Sequence, residues 1–400
     1  MKRIVMFEGG VETLTYFSKR LAERFSEMGY SVFFFDLKQE GQSARRLRKF
    51  IKPGETVMLT FNFQGLEQEP GVYREGIGYV WDEYRIFCYN IAADHPYFYH
   101  ERLCNLPEGY RHISIDRLHG AYFKEFYPEY AHAGFLPLAG TEYAGEEGET
   151  DRPISARRYD VILTGNYTKL SFFEPYIHWI NDEYAAFYRG IIDELIRKPD
   201  ETVEQAALRC CEREMGEQPK DMLRIALSKM IFIDLYIRNY WRGAAVRTLV
   251  NAGIPVHVVG KGWEELADVE RPEKLICHPQ TDSEECLRML ADAKVSLNVM
   301  PWFKDGAHDR VFNSVLNGAV CVTDRSRYLC GELAEGEGVC YYDLDNLAAL
   351  PGLVKDLLQN ESRMQDIIAE GKPKVRDGHT WKKRAELLAA WMEWGQADPN

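Results

Sequence analysis

The sequence predicts an α/β fold of two Rossmann-like, doubly wound domains facing one another across a cleft, the second carrying a helical insertion. Three observations predict it. Short unbroken apolar runs, such as Val-Phe-Phe-Phe at 32–35 and Val-Met-Leu at 57–59, mark parallel strands buried on both faces. Amphipathic helical stretches separate most of these runs, which is the β–α–β rhythm of a parallel sheet. The rhythm restarts after a polar break near 140–158, and 400 residues exceed one ordinary core.

Taken in order, residues 3–7 form the first strand, Glu8-Gly9-Gly10 the turn out of it, and 14–28 a helix that stops at Gly29. Strands follow at 31–36, 56–61 and 84–89 and, more weakly, at 111–116, so the first domain occupies 1–140. Residues 141–158, rich in glycine and acid, read as a linker. The second domain, 159–378, opens on Tyr-Asp-Val-Ile-Leu-Thr-Gly and passes through helical periodicity over 170–250. It then resumes strands at 256–260, 275–278, 295–299, 319–323 and 339–342. A last helix within 379–400 places Trp381, Leu387, Leu388, Trp391 and Trp394 on or near one side. It either packs on its own domain or crosses back to brace the first.

Composition excludes several classes. Lys and Arg total 49 against 62 Asp and Glu, a formal charge of −13, which argues against a general nucleic-acid binder. No apolar run approaches the roughly 18 residues of a membrane span. The N-terminus enters a strand without a signal-peptide core, so a cytoplasmic location is expected. Nine cysteines lie scattered with no Cys-x-x-Cys pair, which reads as reduced thiols without a zinc site. Asp343-Leu-Asp345 reads as a helix start rather than a metal clamp, and neither metal nor cofactor is expected.

Ligands of open parallel sheets bind at the carboxyl ends of the strands. In the first domain those positions hold Glu8, Gly9, Gly10, Asn62, Asp94 and His95. In the second they hold Gly165, Asn166 and Tyr167, then Lys261 between Gly260 and Gly262, then His278. The densest group is at 305–313, where Asp305, His308, Asp309, Arg310 and Asn313 precede and begin a helix ending at Gly318. Unpaired N–H groups at a helix start favour an anion, and an arginine fork matches phosphate oxygens. His95 or Asp94 can take a proton or bind a sugar hydroxyl. Each has a plainer alternative: Gly9-Gly10 as a tight turn, Lys261 as a solvated cation, His278 as a packed strand end, and Asp94-His95-Pro96 as a backbone turn.

From Tyr159 through Val258-Val-Gly-Lys-Gly, His278-Pro, Leu297-Asn-Val-Met-Pro, Asp305-Gly-Ala-His-Asp-Arg-Val-Phe-Asn and Asn317-Gly-Ala-Val-Cys-Val-Thr-Asp, the chain resembles the second half of group 1 glycosyltransferases of GT-B architecture. Within that group the likeness is greater to the bacterial branch that includes spore-maturation-like proteins. The first half is similar to its variable acceptor domain, most recognisably at Asp94-His95-Pro96. The group carries two glutamates eight positions apart before a glycine turn, and the matching positions here are Asp305 and Asn313, a departure at both and a loss of charge at the second.

The resemblance implies a metal-independent, retaining transfer of a sugar from a nucleoside-diphosphate sugar to a hydroxyl of a saccharide, protein or other acceptor. By position, Gly9, Gly10, Gly165, Asn166 and Gly262 would approach the donor, Lys261 and Arg310 hold its diphosphate, His308 and Asn313 contact phosphate or ribose, and His278 lie near the base. His95, Asp94 and Asp305 would be the catalytic group. A nucleotide-sugar hydrolase or epimerase, and a non-catalytic nucleotide-sugar-binding protein, are the rival expectations.

Overall fold

The computed structural model describes residues 3–145 and 152–397, with side chains through residue 393. Residues 146–151 of the expected linker and the Trp394 side chain lie outside the described residues. The chain divides into a first unit, Met1–Leu138 with Thr380–Asn400, and a second, Ala139–His379.

The first unit is built on β1 (Arg3–Glu8), β2 (Ser31–Asp36), β3 (Thr56–Phe61), β4 (Cys88–Ala92), β5 (Tyr110–Ser114) and β6 (Ala131–Phe135). They form one parallel sheet in the order β2-β1-β3-β4-β5-β6. Helices α1 (Glu12–Glu27), α2 (Glu40–Phe50) and α3 (Arg117–Phe126) connect them. All six residues of β3 are buried, as a run apolar on both faces requires. The strand expected at 84–89 begins four residues later. Val80–Glu83 is a helical turn, Arg85 is left-handed at φ 53°, and the Ile86 N–H closes onto Trp81 O at 2.8 Å, so the chain bends there instead of extending. Strand β6 was not expected at all, because Ala-His-Ala-Gly-Phe has no apolar run and is half-exposed.

The second unit repeats the design with β7 (Tyr159–Thr164), β8 (Val256–Val259), β9 (Leu275–His278), β10 (Ala293–Asn298), β11 (Val320–Asp324) and β12 (Val339–Tyr342). The order β9-β8-β7-β10-β11-β12 reverses direction at β7, which opens a crevice at the carboxyl ends of β7 and β10. Between β7 and β8 lie α4 (Asp182–Arg197), α5 (Val203–Met215), α6 (Lys220–Ser228) and α7 (Ile231–Asn251), the helical insertion. The remaining helices are α8 (Ser283–Ala291), α9 (Asp309–Leu316), α10 (Arg327–Glu332), α11 (Leu350–Gln359) and α12 (Glu361–Gly378). The stretch from Leu344 to Ala349 is a 3₁₀ turn broken at Asn346, not a regular helix start.

The last helix, α13 (Trp381–Ala397), packs on α1 within the first unit. Trp381 meets Phe17 at 4.5 Å between ring centroids and Phe61 at 5.9 Å. Arg24 donates to Glu386 at 2.6 Å, and Tyr30 OH to Glu393 at 2.7 Å. The buried stripe is Trp381, Ala385, Leu388, Ala389 and Met392, whereas Leu387, expected among them, is exposed.

Candidate active site

The candidate site gathers where β7 and β10 end. Arg310, the second residue of α9, lays its guanidinium across that gap: Nε donates to Asn298 Oδ1 at 3.1 Å, Nη1 to Thr164 O at 3.1 Å and Nη2 to Val299 O at 3.4 Å. Asn298 is itself fixed, its Nδ2 donating to Thr323 Oγ1 at 2.9 Å. Every one of these acceptors is neutral. Gly165 leaves β7 at φ 143°, and a Cβ there would stand 2.9 Å from Arg310 Nη1, so the close approach needs glycine. Gly260 at φ 150° plays the same part for the neighbouring loop, because a Cβ would meet Gly165 O at 2.5 Å. The two loops are tied together by the Lys261 N–H donating to Asn166 Oδ1 at 2.9 Å and by Trp263 Nε1 donating to Gly165 O at 2.8 Å.

Two further arginines arrive from α7. Arg238, Arg242 and Arg310 all stand over the Trp302 ring, at 4.5, 5.6 and 5.9 Å from its centroid. Arg238 pairs with Asp234 one turn earlier at 2.5 Å, and Arg242 donates to Asn166 O. Burial, followed by repulsion from Arg310 and Arg238, pushes Arg242 down to about 9. Burial also lowers Arg310, against the attraction of Asp309 and Asp324. The site is thus a partly desolvated concentration of positive charge at the start of a helix.

His308 caps that helix. Its Nδ1 lies 3.3 Å from the Arg310 amide and 2.5 Å from Asp309 Oδ1. With a proton on Nδ1 the ring donates to Asp309, and without one it accepts from the amide. Burial and then Arg310 hold the imidazole below its ordinary range, with Asp309 opposing them. Burial pushes the Asp309 carboxyl up, but His308 and then Arg310 outweigh it and leave the group below the usual carboxylate range. Behind them Asp324, which accepts from the Met300 N–H at 2.8 Å, is pushed up to about 6 by burial.

Residues 241–390 match a family model described as glycosyl transferase-like. Among solved structures, sucrose-phosphate synthase from Thermosynechococcus elongatus superposes with a TM-score of 0.54 at 11% identity, covering 99% of this chain and all of that one. An α-glucosyltransferase solved with UDP-glucose and DNA containing an abasic site gives 0.53 at 10%, covering 98% of this chain and 99% of that one. A glycosyltransferase from Rickettsia africae gives 0.53 at 7%, covering 100% and 99%. Comparison with curated protein sequences finds no match. The chain has the GT-B fold, and its residues 241–390 are similar to a glycosyl transferase-like domain.

In this fold the expected donor residues Gly165, Asn166, His308 and Arg310 come together. Lys261 and Gly262 join them through backbone, and the Lys261 side chain is exposed. The other expected residues have partners within the fold. The Asn313 amide is engaged inside the fold, accepting from the Thr141 N–H at 2.8 Å and donating to Asp309 Oδ2 at 2.9 Å, so it anchors the start of the unit instead of presenting itself to a ribose. The His278 ring turns onto the sheet face, 2.9 Å from His257 Nδ1 and edge-on to Tyr159, which is the packed alternative. Asp305 is buried and lies 3.6 Å from Arg327 Nη1. His95 is 4% exposed, caps the turn Pro96–Tyr99 and packs on Tyr97, His119 and Tyr122, while Asp94 accepts from Tyr99 OH at 3.3 Å. These contacts are those of the turn reading of Asp94-His95-Pro96.

Gly9 and Gly10 belong to the first unit. With Glu8, Glu12, Tyr16, Lys19, Asp36 and Lys38 they line a cavity of about 450 Å³ at the ends of β1 and β2. Arg238, Arg242 and Trp302 were missed by the sequence reading. The available signal was the pair Arg238 and Arg242, four apart on α7, which places both on one face.

Proposed function

We propose that the protein is a glycosyltransferase that moves a sugar from a nucleoside-diphosphate sugar to an acceptor hydroxyl, with Arg310, Arg242 and Arg238 holding the diphosphate. One observation carries this reading: the guanidiniums of Arg310 and Arg242 hydrogen-bond to amide and carbonyl oxygens, with Asp309 and Asp324 acting on Arg310 only through their charge, so part of the positive charge is left for an incoming anion. In glycosyl transfer, negative charge grows on the departing diphosphate, and donors already fixed in place stabilise it without reorganising. The carbonyls of Thr164, Val299 and Asn166 fix two of the guanidiniums, and the Trp302 face orients all three. The amides at the start of α9 add to the same field.

Three guanidiniums supply the charge that a divalent cation supplies in other transferases, and the proposal is a metal-independent reaction. The group 1 resemblance supports retention of anomeric configuration. A uridine donor is the first to try, because the α-glucosyltransferase of similar fold was solved with UDP-glucose.

The test is calorimetric titration with UDP, GDP and dTDP, with and without added Mg²⁺, followed by NMR of the product anomer. Selective binding of one diphosphate, unchanged by the metal, is expected. Failure of all three to bind would overturn the site, binding that needs the cation would overturn metal independence, and an inverted product would overturn retention.

A further inference from the structure

The helical insertion exposes an aromatic surface that the transfer reaction does not explain. Trp179 is 82% exposed, and Phe172, Tyr176, Ile180 and Tyr184 are each 45 to 52% exposed. Rings connect across much of this face, from Phe172 to Tyr176 at 5.9 Å, Tyr176 to Phe232 at 6.2 Å, Phe232 to Tyr188 at 5.1 Å and Tyr188 to Tyr184 at 6.2 Å. Trp179 and Ile180 stand at the tip, between the turn Glu174–Ile177 and α4. At about 200 Å² for a fully presented side chain of this size, the five expose on the order of 600 Å². That is the upper end of what a monomer's largest apolar patch reaches.

We infer that this face is the contact between two copies of the chain. A stable dimer buries about 800 Å² on each side, roughly 65% of it apolar. The five side chains supply the apolar share, and the polar rim around them supplies the remainder. The rim also permits an identical partner. Glu174 pairs with Arg189 and lies 3.7 Å from His178, and Lys169 pairs with Glu265, so the charges bordering the patch are matched within one chain. Asp182 and Glu183 occupy the first turn of α4, where the helix dipole favours them. Of the chain's net charge of −13, residues 169–189 carry only a small share, so this face repels its own copy less than the chain as a whole would. A bilayer is a poorer match, since anionic lipid calls for a basic collar and residues 169–189 carry three acids against one lysine and one arginine.

Sedimentation equilibrium of the full chain and of Trp179→Asp, from about 1 to 100 µM, tests the inference; interfaces of this size dissociate at micromolar concentrations or below. The wild type is expected to be a dimer, and the variant to dissociate at least about 30-fold more easily, as loss of a central aromatic anchor implies. Trp179 is almost fully exposed, so the variant's circular dichroism and melting should match the wild-type monomer. A second variant, Tyr184→Asp, should weaken the same equilibrium. A monomeric wild type would overturn the inference, as would a dimer indifferent to both variants. Flotation with vesicles of phosphatidylcholine and phosphatidylglycerol, abolished by Trp179→Asp in a monomeric wild type, would reassign the face to lipid.

Discussion

Replacing Arg242 by glutamine separates a ligand-holding arginine from a structural one, because the two roles predict opposite signs for apo stability. The guanidinium is pushed down from its ordinary range to about 9, by burial first and by Arg310 and Arg238 after it. Taken at face value the drop costs about 5 kcal/mol. Arg242 is not fully enclosed, and solvent screening reduces this to about 1–2 kcal/mol. For a cation whose folded pKa is depressed, the cost is present at every pH below about 9 and fades only above that value. Glutamine removes the cost and gives up the bond to Asn166 O, worth about 1 kcal/mol. The apo variant should therefore melt at or slightly above the wild-type temperature.

Donor binding should move the other way. A charge-assisted bond to phosphate is worth about 1.5–3 kcal/mol, so affinity should fall roughly 10- to 150-fold. Inorganic pyrophosphate and UDP, titrated by calorimetry at one ionic strength, read the loss without and with a base, and differential scanning fluorimetry reads the apo stability. Affinity within about threefold of wild type in a folded variant would refute the ligand role. A fall in apo stability of about 2 kcal/mol or more would show that Arg242 is structural.

Arg310→Lys keeps one charge but cannot span Asn298, Thr164 and Val299 together, so turnover with any accepted donor should drop at least about tenfold, with the protein still folded by circular dichroism. Asp324 is pushed up to about 6 by burial, so its contribution to stability is greatest below its ordinary range and is lost as pH rises through 6; Asp324→Asn should raise the urea midpoint at pH 8 by up to about 3 kcal/mol in stability and change little at pH 4. In the first unit, burial pushes His132 down to about 4, so acid weakens the fold between the ordinary histidine value and pH 4; His132→Gln should flatten the melting temperature across that window. Gly260→Ala drives a Cβ to 2.5 Å from Gly165 O at φ 150°, and should cost about 1–3 kcal/mol by chemical denaturation while weakening UDP binding.

How far the fold could be read from residues depended on whether burial was written locally. Strands β2, β3 and β9 fall at the expected positions because apolar, β-branched or aromatic runs announce a strand, although only β3 is buried along its whole length. The half-exposed β6 carries no such run, and the bend at Arg85 depends on a left-handed backbone that its residue type does not announce. The site divides in the same way. Gly165, Asn166 and Arg310 were legible because each follows a strand or opens a helix, and the carboxyl-end rule needs only local order. The partners of Asn313 were not legible because the same rule cannot say which way a side chain turns. Its amide meets Thr141 N, 172 residues away along the chain.

Arg242 shows why the decisive part of the charge could not be read from the chain. It reaches Asn166 across 76 residues, from a helix whose arginines at four-residue spacing look like ordinary surface pairs. Asp234 answers Arg238 within that helix and makes the pattern look self-sufficient. Only the fold sets Arg242 beside Arg310 and both over Trp302, with neutral oxygens as their direct partners. Arginines placed only for stability would be expected to meet carboxylates there. Neutral direct partners fix the geometry and cancel less of the charge than a carboxylate would, which suits the proposed role of these arginines in meeting a diphosphate whose charge grows as the sugar departs.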